Sequence, residues 1–244
     1  MSVHRTLNVW SPYFIFHCYR LTSIRTLDLS NNKLQTLSDN ISLLSNLKSL
    51  TCDNNKLKAA SLQNIFKLSK LQTLSAGKNK LGEKTIIKPS TPPVFIPLPE
   101  LPTSLKILKL NSNSFLSVPP SIYSGNNILI KLQKLDLSNN DLICIPEEIQ
   151  NLVALTELNL DQNSIVAIGE SVGKLSKLKV LSMRRNQIRV EQHTIFSSQN
   201  PQPIHSSVFT DTPLIDLNLD GNILSGTQLM NFDGFDAFLG KTYY

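Results

Sequence analysis

The sequence LQKLDLSNNDL, residues 132–142, places Leu132, Leu135, Leu137 and Leu142 at fixed offsets and sets a polar Asn140 among them. The same pattern, L-x-x-L-x-L-x-x-N-x-L with conservative exchanges, occurs eight times along the 244-residue chain. Its eight copies begin at Ile24, Leu47, Leu71, Leu105, Leu132, Leu155, Leu178 and Leu214. Such self-similarity predicts an array of stacked structural units, which we call coils 1 to 8 in chain order.

The copies are regularly spaced apart from two long intervals. Successive copies start 23, 24, 34, 27, 23, 23 and 36 residues apart, and the two longest intervals predict insertions near residues 88–104 and 191–213. The first insertion is rich in proline and cannot be a regular helix. Its P-x-x-P pattern from Pro99 to Pro102 lies in a loop bulging from the convex side or docks an SH3-type domain. The second insertion is polar, and we expect it to be a mobile loop.

The second half of each unit also repeats, as in LICIPEEIQNLVAL at residues 142–155. Together the two halves resemble the leucine-rich repeat family, in its short intracellular class. The resemblance implies an α/β solenoid shaped like a horseshoe, with short parallel strands on the concave face. It also implies a turn at each asparagine and short helical or 3-10 returns on the convex face.

The ends of the chain differ from the repeats. Residues 1–20 match no repeat and form an atypical N-terminal segment or a poor cap, whereas residues 21–224 hold the eight repeats. Residues 225–244 carry an F-x-x-F-x-x-F pattern at Phe232, Phe235 and Phe238. Because a stack of nearest-neighbour coils needs covered ends, we expect this segment to be a C-terminal capping helix.

The recurring asparagine has a predicted structural role. Each coil bends inward after its strand, which leaves backbone N–H and C=O groups in an apolar interior, where an unpaired group costs about 1 to 3 kcal/mol. An asparagine amide offers two donors and an acceptor, so it can bridge its own coil and the next one. We therefore expect a structural ladder of Asn32, Asn55, Asn79, Asn113, Asn140, Asn163, Asn186 and Asn222.

Residues between the leucines of each strand are expected to point outward onto the concave face. The charged members that we predict to bind a partner there are Lys106, Lys109, Lys134, Glu157, Asp161, Lys179, Arg184, Arg185, Asp216 and Asp220. One interpretation is a docking face for a protein with acidic patches. The other is that Asp161, Arg184 and Asp220 simply pair across strands.

No motif in the sequence predicts catalysis, and we expect no cofactor and no metal site. The segment from Gly169 to Lys174 approaches a phosphate-binding loop, but its glycines are one residue too close and Leu175 replaces the magnesium-binding hydroxyl. Ser171 and Lys174 match S-x-x-K without its companion motifs. None of the four histidines has a recognisable nucleophile motif beside it.

Composition narrows the function classes further. The net charge of +6 is scattered along the chain, so nucleic-acid binding is not indicated. The three cysteines lack metal-ligand or disulfide-framework spacing, which favours the cytoplasm. We predict no transmembrane segment, and no lipid anchor because Ser2 stands where N-myristoylation needs glycine. The sequence thus predicts a monomeric, non-enzymatic scaffold or adaptor for protein partners; the alternative is a regulatory subunit of a phosphatase or small-GTPase pathway.

Overall fold

The structure is a computed structural model that describes residues 23–82, 97–190 and 202–242, and the backbone of three short strands at 2–4, 84–85 and 94–95. Nine of the described strands form one parallel sheet, which is the predicted arrangement. These strands are β1 (Ser2–His4), β2 (Thr26–Asp28), β3 (Ser49–Thr51), β4 (Thr73–Ser75), β7 (Ile107–Lys109), β8 (Lys134–Asp136), β9 (Glu157–Asn159), β10 (Val180–Ser182) and β11 (Asp216–Asn218). Strands β5 (Lys84–Thr85) and β6 (Val94–Phe95) form a separate antiparallel pair.

The register of the sheet follows the leucine pattern. The central leucine of each strand pairs with the central leucine of the next, for example Leu135 with Leu108 on one side and Leu158 on the other. Because strand side chains alternate between faces, these leucines point into the molecule while their neighbours point to the concave surface. The core therefore lies between the sheet and the convex returns, where Leu108 and Leu181 have no exposed surface.

The convex returns are single turns of helix, as the resemblance to leucine-rich repeats implies. Five are 3-10 turns, at Asp39–Leu43, Ala59–Leu62, Ile65–Lys67, Pro120–Ile122 and Glu147–Asn151. Two are α-helical, α1 at Glu170–Gly173 and α2 at Ser207–Thr210. Each turn buries one or more apolar side chains against the leucines, such as Ile149 from the 3-10 turn and Val172 from α1.

The first insertion contributes to the core near its end. Leu98 is 5% exposed, Leu101 is 1% exposed, and Pro102 is also buried. These residues take the place of a convex return in coil 3, and the carbonyl of Pro102 accepts a hydrogen bond from Leu105. Half of the P-x-x-P pattern is thus inside the protein, so the SH3-docking interpretation is wrong. Residues 86–93 and 96 of this interval lie outside the described residues.

The second insertion also supplies core residues, contrary to the expected mobile loop. Ile204, Val208 and Phe209 have no exposed surface, and α2 packs beside α1 as the convex return of coil 7. The backbone of this segment is tied to coil 6, because Ile168 donates to the carbonyl of Pro203 and His205 donates to that of Ile168. The extra residues of coil 7 therefore lie upstream, at 191–201, outside the described residues.

The C-terminal segment forms two short helices, not the single helix expected from its sequence. These are α3 (Gly226–Met230) and α4 (Phe235–Thr242), separated by Gly234, whose φ of 82° cannot continue a helix. The rings of Phe235 and Phe238 pack on Phe209, with centroids 5.4 and 6.3 Å from it. Helix α4 thus covers the convex side of coil 7. None of the helices in the described ranges is long and apolar enough to cross a membrane.

Candidate functional site

The asparagine ladder fixes the bend that follows each strand. Asn140 donates from Nδ2 to the carbonyls of Leu137 at 2.9 Å and Leu110 at 3.2 Å. Its Oδ1 accepts from the backbone N–H groups of Asn113 and Phe115 at 2.9 and 3.1 Å. One side chain thereby satisfies buried backbone groups in two coils, which is the role that its donor and acceptor inventory permits.

Seven of the ladder amides bridge two coils in the same way. Each donates to carbonyls of its own coil and of the preceding one, as Asn163 does to Leu160 and Leu137. The expected bridge to the next coil was therefore wrong in direction, because the inward N–H that needs an acceptor belongs to the coil before. The bridging residues are Asn55, Asn79, Asn113, Asn140, Asn163, Asn186 and Asn222, while Asn32 donates within coil 1.

The residue before each ladder asparagine adopts a left-handed backbone, a feature that sequence reasoning missed. Their φ angles lie between 51° and 75° in all eight coils. These residues are Asn31, Asn54, Lys78, Ser112, Asn139, Gln162, Arg185 and Gly221. Four of the eight are asparagine or glycine, the types that tolerate this conformation best. The residue types at this position of the repeat could therefore have predicted the left-handed turn.

Charged residues occur along the whole concave face. In coils 1 to 3 the strand positions mostly carry small residues such as Thr26, Ser49 and Thr73, but Arg25 and Lys48 are exposed at the position that Lys106 and Lys179 hold in later coils. The predicted partner-binding residues occupy coils 4 to 8. Eight of them are exposed, whereas Glu157 and Asp161 are half-buried.

Lys134 and Glu157 form an ion pair across neighbouring strands. Their charged atoms, Nζ and Oε1, are 2.6 Å apart, and the two residues are paired in the sheet register. Asp216 lies in the same column two strands further on, beyond Val180. Lys109 lies in a second column beside Asp136. Because both partners of the ion pair are partly solvated, it contributes about 1 kcal/mol or less to stability.

Asp161 accepts hydrogen bonds from coil 7. Its Oδ1 accepts at 2.7 Å from both the Ser182 hydroxyl and the Arg184 backbone N–H. Asp53 repeats this arrangement with Ser75 and Gly77. Asp161, Arg184 and Asp220 thus occupy equivalent positions in coils 6, 7 and 8, but Asp161 receives a backbone donor instead of the Arg184 guanidinium. The expected charge pairing is not found among the described ion pairs, which join Lys134 with Glu157 and Lys174 with Glu170.

The remaining candidates form two groups on the concave side. Lys179, Arg184 and Arg185 belong to coil 7, with Asp216 and Asp220 following in coil 8. Lys106 and Lys109 lie in coil 4, three coils from Arg184. The structure therefore brings together the coil 7 and coil 8 charges and leaves the coil 4 lysines as a separate group.

Comparison with protein families agrees with this geometry. The leucine rich repeat family matches residues 103–165 with one model and residues 23–44 with another. Both ranges contain the strand, the left-handed turn and the ladder asparagine described above. The chain is a leucine-rich repeat solenoid.

Curated relatives of this solenoid include the human and mouse oligodendrocyte-myelin glycoproteins. Each is 33% identical over 132 residues, which is 54% of this chain and 26% of the relative. The chain thus spans about a quarter of the length of the curated relatives that it matches.

Solved leucine-rich repeat structures superpose on most of the chain. A leucine-rich repeat protein of Leptospira interrogans gives a TM-score of 0.61 at 26% identity, over 93% of this chain and 55% of the other. An internalin of Listeria monocytogenes gives 0.63 at 19% identity, over 90% and 54%. A chain from the complex of latrophilin 3, Unc5D and the repeat domain of FLRT2 gives 0.64 at 20% identity, over 87% and 59%.

The motifs that resemble catalytic signatures are explained by the repeat. Ser171 and Gly173 are buried in α1, where Gly173 lies against Ser207 of α2, and Lys174 pairs with Glu170. Within the described ranges, no group of three or more His, Cys, Asp or Glu side chains could hold a metal ion. His205 bonds the hydroxyl of Ser207 through Nδ1, whereas His193 lies outside the described residues.

Burial shifts the pKa of two titratable groups among the described residues. It raises the pKa of the Cys52 thiol well above its usual range, with smaller contributions from the carboxylates of Asp53 and Asp28. It also raises the pKa of Tyr123, helped by the nearby Glu148. Both effects follow from the high cost of an anion in a low-dielectric interior. Neither group belongs to the concave candidates, so these shifts concern stability and not binding.

Proposed function

We propose that the chain is a non-catalytic protein-interaction scaffold that binds a partner through the concave face of coils 6 to 8. The observation that supports this proposal best is the concentration of exposed charges on two adjacent coils. Lys179, Arg184 and Arg185 project from coil 7 beside Asp216 and Asp220 of coil 8. A surface that mixes both signs favours a partner with a complementary charge pattern, because such patterns steer association and penalise wrong partners.

The ladder and the sheet supply a rigid support for these side chains. Leu160 donates to the carbonyl of Ser182, and Arg185 donates to that of Asp220, so adjacent coils are linked on both sides of the charge cluster. Asp161 adds a further link by holding Arg184 N–H. A binding surface on a preorganised backbone loses less conformational entropy on association than one on loops.

The comparisons favour the same function without naming a partner. The FLRT2 repeat domain, part of a similar solved structure, is assembled there with latrophilin 3 and Unc5D. We carry over from this likeness only the use of a repeat solenoid in binding proteins, since fold alone does not determine function.

A charge-reversed variant tests the concave face. Lys179→Glu with Arg184→Glu should abolish capture of the partner, identified by mass spectrometry of proteins retained by the unmodified chain from native cell extract. The matched control is Lys131→Glu with Lys177→Glu, which changes the net charge equally at exposed sites preceding the first leucines of coils 5 and 7. Retention of the same partner by the Lys179 and Arg184 variant, with an intact circular dichroism spectrum, would contradict the proposal.

The compartment and the finer family assignment are also proposals. We propose the cytoplasm because Cys52 and Cys144 are free thiols, although the matched relatives are named glycoproteins. Loss of electrophoretic mass after glycosidase treatment, through a glycan on the Asn40-Ile-Ser42 sequon, would contradict this compartment. The C-terminal run resembles that of leucine-rich repeat-containing protein 57, and this resemblance stays a prediction. The monomeric state is likewise a prediction. Enzyme assays on the captured partner would test the alternative hypothesis that the chain is a regulatory subunit.

A further inference from the structure

One edge of the parallel sheet is open. Strand β11 is the last in the order of the sheet and, among the described residues, pairs with β10 alone. The chain continues from coil 8 into α3 and α4, and the rings of α4 pack on Phe209 of α2. An edge strand presents unpaired N–H and C=O groups, with which another extended chain can pair.

The interior coils show which backbone groups a further strand would use. In coil 6 the carbonyl of Thr156 accepts from two N–H groups of coil 7, and the N–H of Leu160 donates to the carbonyl of Ser182. The equivalent groups of coil 8 are the carbonyl of Ile215 and the N–H of Leu219. Neither has a hydrogen-bond partner among the described residues. Coil 8 therefore holds an acceptor and a donor at the spacing that joins neighbouring coils elsewhere.

The apolar side chains of coil 8 are incompletely covered. Leu181 in β10 has no exposed surface, whereas Leu217, paired with it in β11, is only partly buried. Ile215 is 56% exposed and Ile223 is 62% exposed. A further strand laid against coil 8 would remove part of this apolar area from water, which favours its addition.

The charge at this edge selects the sequence of an added strand. Residues 214–225 contain Asp216 and Asp220 and no basic residue. Both carboxylates are exposed, and neither belongs to an ion pair among the described residues. Glu157 holds the position of Asp216 in coil 6, and there it pairs with Lys134 of the neighbouring strand at 2.6 Å. A lysine opposite Asp216 would form the same cross-strand pair.

We propose that the β11 edge accepts an extended segment of a partner protein as an additional parallel strand. The segment would place basic side chains opposite Asp216 and Asp220, and apolar side chains beside Leu217 and Leu219. Because successive side chains of a strand point to opposite faces, the recognised sequence is a short alternation of apolar residues with basic or small polar ones. We expect the parallel direction because all nine strands of this sheet run parallel.

The same charges disfavour a second copy of this edge. Two β11 strands brought together would place four carboxylates at one junction without a basic residue of coil 8 between them, and like charges repel. The proposal goes beyond the concave scaffold function, which depends on Lys179 and Arg184. Asp216 and Asp220 border both surfaces, but the open backbone groups belong to the edge alone.

A labelled peptide, LTKLSLRSN, tests the edge on the unmodified chain. Its lysine and arginine would lie opposite Asp216 and Asp220, and fluorescence anisotropy would measure its affinity. N-methylation of the lysine amide, which would donate to the carbonyl of Ile215, should weaken binding by about ten-fold or more. N-methylation of the sixth residue is the matched control, because the equivalent N–H of Leu160 faces away from the preceding coil. It should leave the affinity within about two-fold.

A charge exchange tests the sequence preference. Asp216→Lys with Asp220→Lys should weaken binding of LTKLSLRSN by about ten-fold or more and should favour the peptide LTELSLESN instead. The control pair Asp141→Lys with Glu147→Lys makes the same change in net charge at exposed sites of coil 5 and should leave both affinities within about two-fold. The Lys179→Glu with Arg184→Glu variant should retain the peptide, so failure of the concave site and failure of the edge are distinguishable.

Four results would overturn the proposal. These are absence of peptide binding, equal effects of the two N-methylated peptides, equal effects of the two acidic variant pairs, and protection of residues 216–218 from hydrogen exchange in the peptide-free chain. Such protection would assign the edge to a second copy if it rose with protein concentration, and to this chain itself if it did not. The expected result is that the peptide slows exchange at the amides of Leu217 and Leu219.

Discussion

At the scale of single residues, stability depends on side chains that complete the backbone of a neighbouring coil. Seven of the eight ladder amides do this after their strands. Asp53 and Asp161, two residues before the ladder asparagines of their own coils, do it as well. Where a coil has Asp or Asn inside its strand, as at Asp136, that side chain accepts from its own turn at Ser138. Where the strand has serine at that position, as at Ser75 and Ser182, the N–H of the turn donates instead to an aspartate of the preceding coil. The acceptors are Asp53 and Asp161. Asp161 therefore has a structural role, whether or not it also contributes to the proposed binding surface.

Asn140→Leu should lower the free energy of unfolding by about 1 to 3 kcal/mol, because it leaves buried backbone donors and acceptors in coils 4 and 5 unpaired. Urea denaturation followed by circular dichroism measures the change. Asn126→Leu is the control, since Asn126 is exposed in a turn and outside the ladder. Equal stability of the Asn140 variant and the unmodified protein would contradict the ladder.

Cys52 predicts a pH dependence of stability. Its pKa is raised in the folded state by burial, so the unfolded chain ionises first and folding is favoured only while the thiol stays protonated. This contribution is complete below the unfolded pKa of about 8.5 and is lost as the pH rises toward the folded value, by at most about 1.4 kcal/mol per pH unit.

Chemical denaturation at pH 8 and pH 10 tests this expectation. Cys52→Ala should reduce the alkaline loss of stability, whereas Cys144→Ala, at an exposed thiol, should not. If the free energy of unfolding of the Cys52 variant and of the unmodified protein depended on pH in the same way, this thiol would not cause the loss of stability at alkaline pH.

At the scale of elements, the returns show why local sequence signals were insufficient. Residues 97–104 and 202–213 lack the regular repeat spacing and contain prolines and polar residues. Both nevertheless place apolar side chains, Leu101 and Phe209, where a convex turn must fill the core. The position of these side chains depends on the space that the neighbouring coils leave in the core. That space cannot be read from the local sequence. Helix α2 is further held by Lys241, whose ammonium donates to the carbonyls of Phe209 and Thr212 at 2.7 Å.

Gly173→Ala tests the contact between α1 and α2. A Cβ at this position would lie 2.6 Å from the Cβ of Ser207 and 2.8 Å from its carbonyl carbon, so the two turns would have to separate. We expect a loss of about 1 to 3 kcal/mol by urea denaturation, as for other overpacked sites. Gly169→Ala is the matched control, because nothing lies within 4 Å of the added carbon. Similar losses for both variants would contradict the close approach.

At the scale of the whole molecule, the solenoid is a row of nearest-neighbour interfaces that are not equally buried. Leu158 and Leu160 in coil 6 are 2% and 1% exposed. Leu217 and Leu219 in coil 8 are only partly buried, and Ile215 is 56% exposed. Helix α4 packs on the convex side of coil 7 and leaves the sheet edge at β11 more open. The 225–244 segment thus remains a proposed cap that covers one side of the stack.

Hydrogen exchange should reveal this gradient. We expect amides of β11 to exchange about ten-fold or more faster than those of β9, because an end coil opens without breaking two interfaces. Mass spectrometry of peptides covering Asp216–Asn218 and Glu157–Asn159 would measure the two rates. Matching rates would indicate that the described coils open as a single cooperative unit.

The sequence alone determined the period and the asparagines of the ladder, since both follow from the spacing of residues within one coil. Its resemblance to leucine-rich repeats implied the parallel strands and the convex turns. Only the tertiary structure decided the features that depend on neighbouring coils. The ladder bridges backward, Asp161 binds the backbone of Arg184, and Leu101 and Phe209 enter the core from irregular segments. Spacing within a coil fixes which face a side chain points to, but the neighbouring coil supplies its contacts.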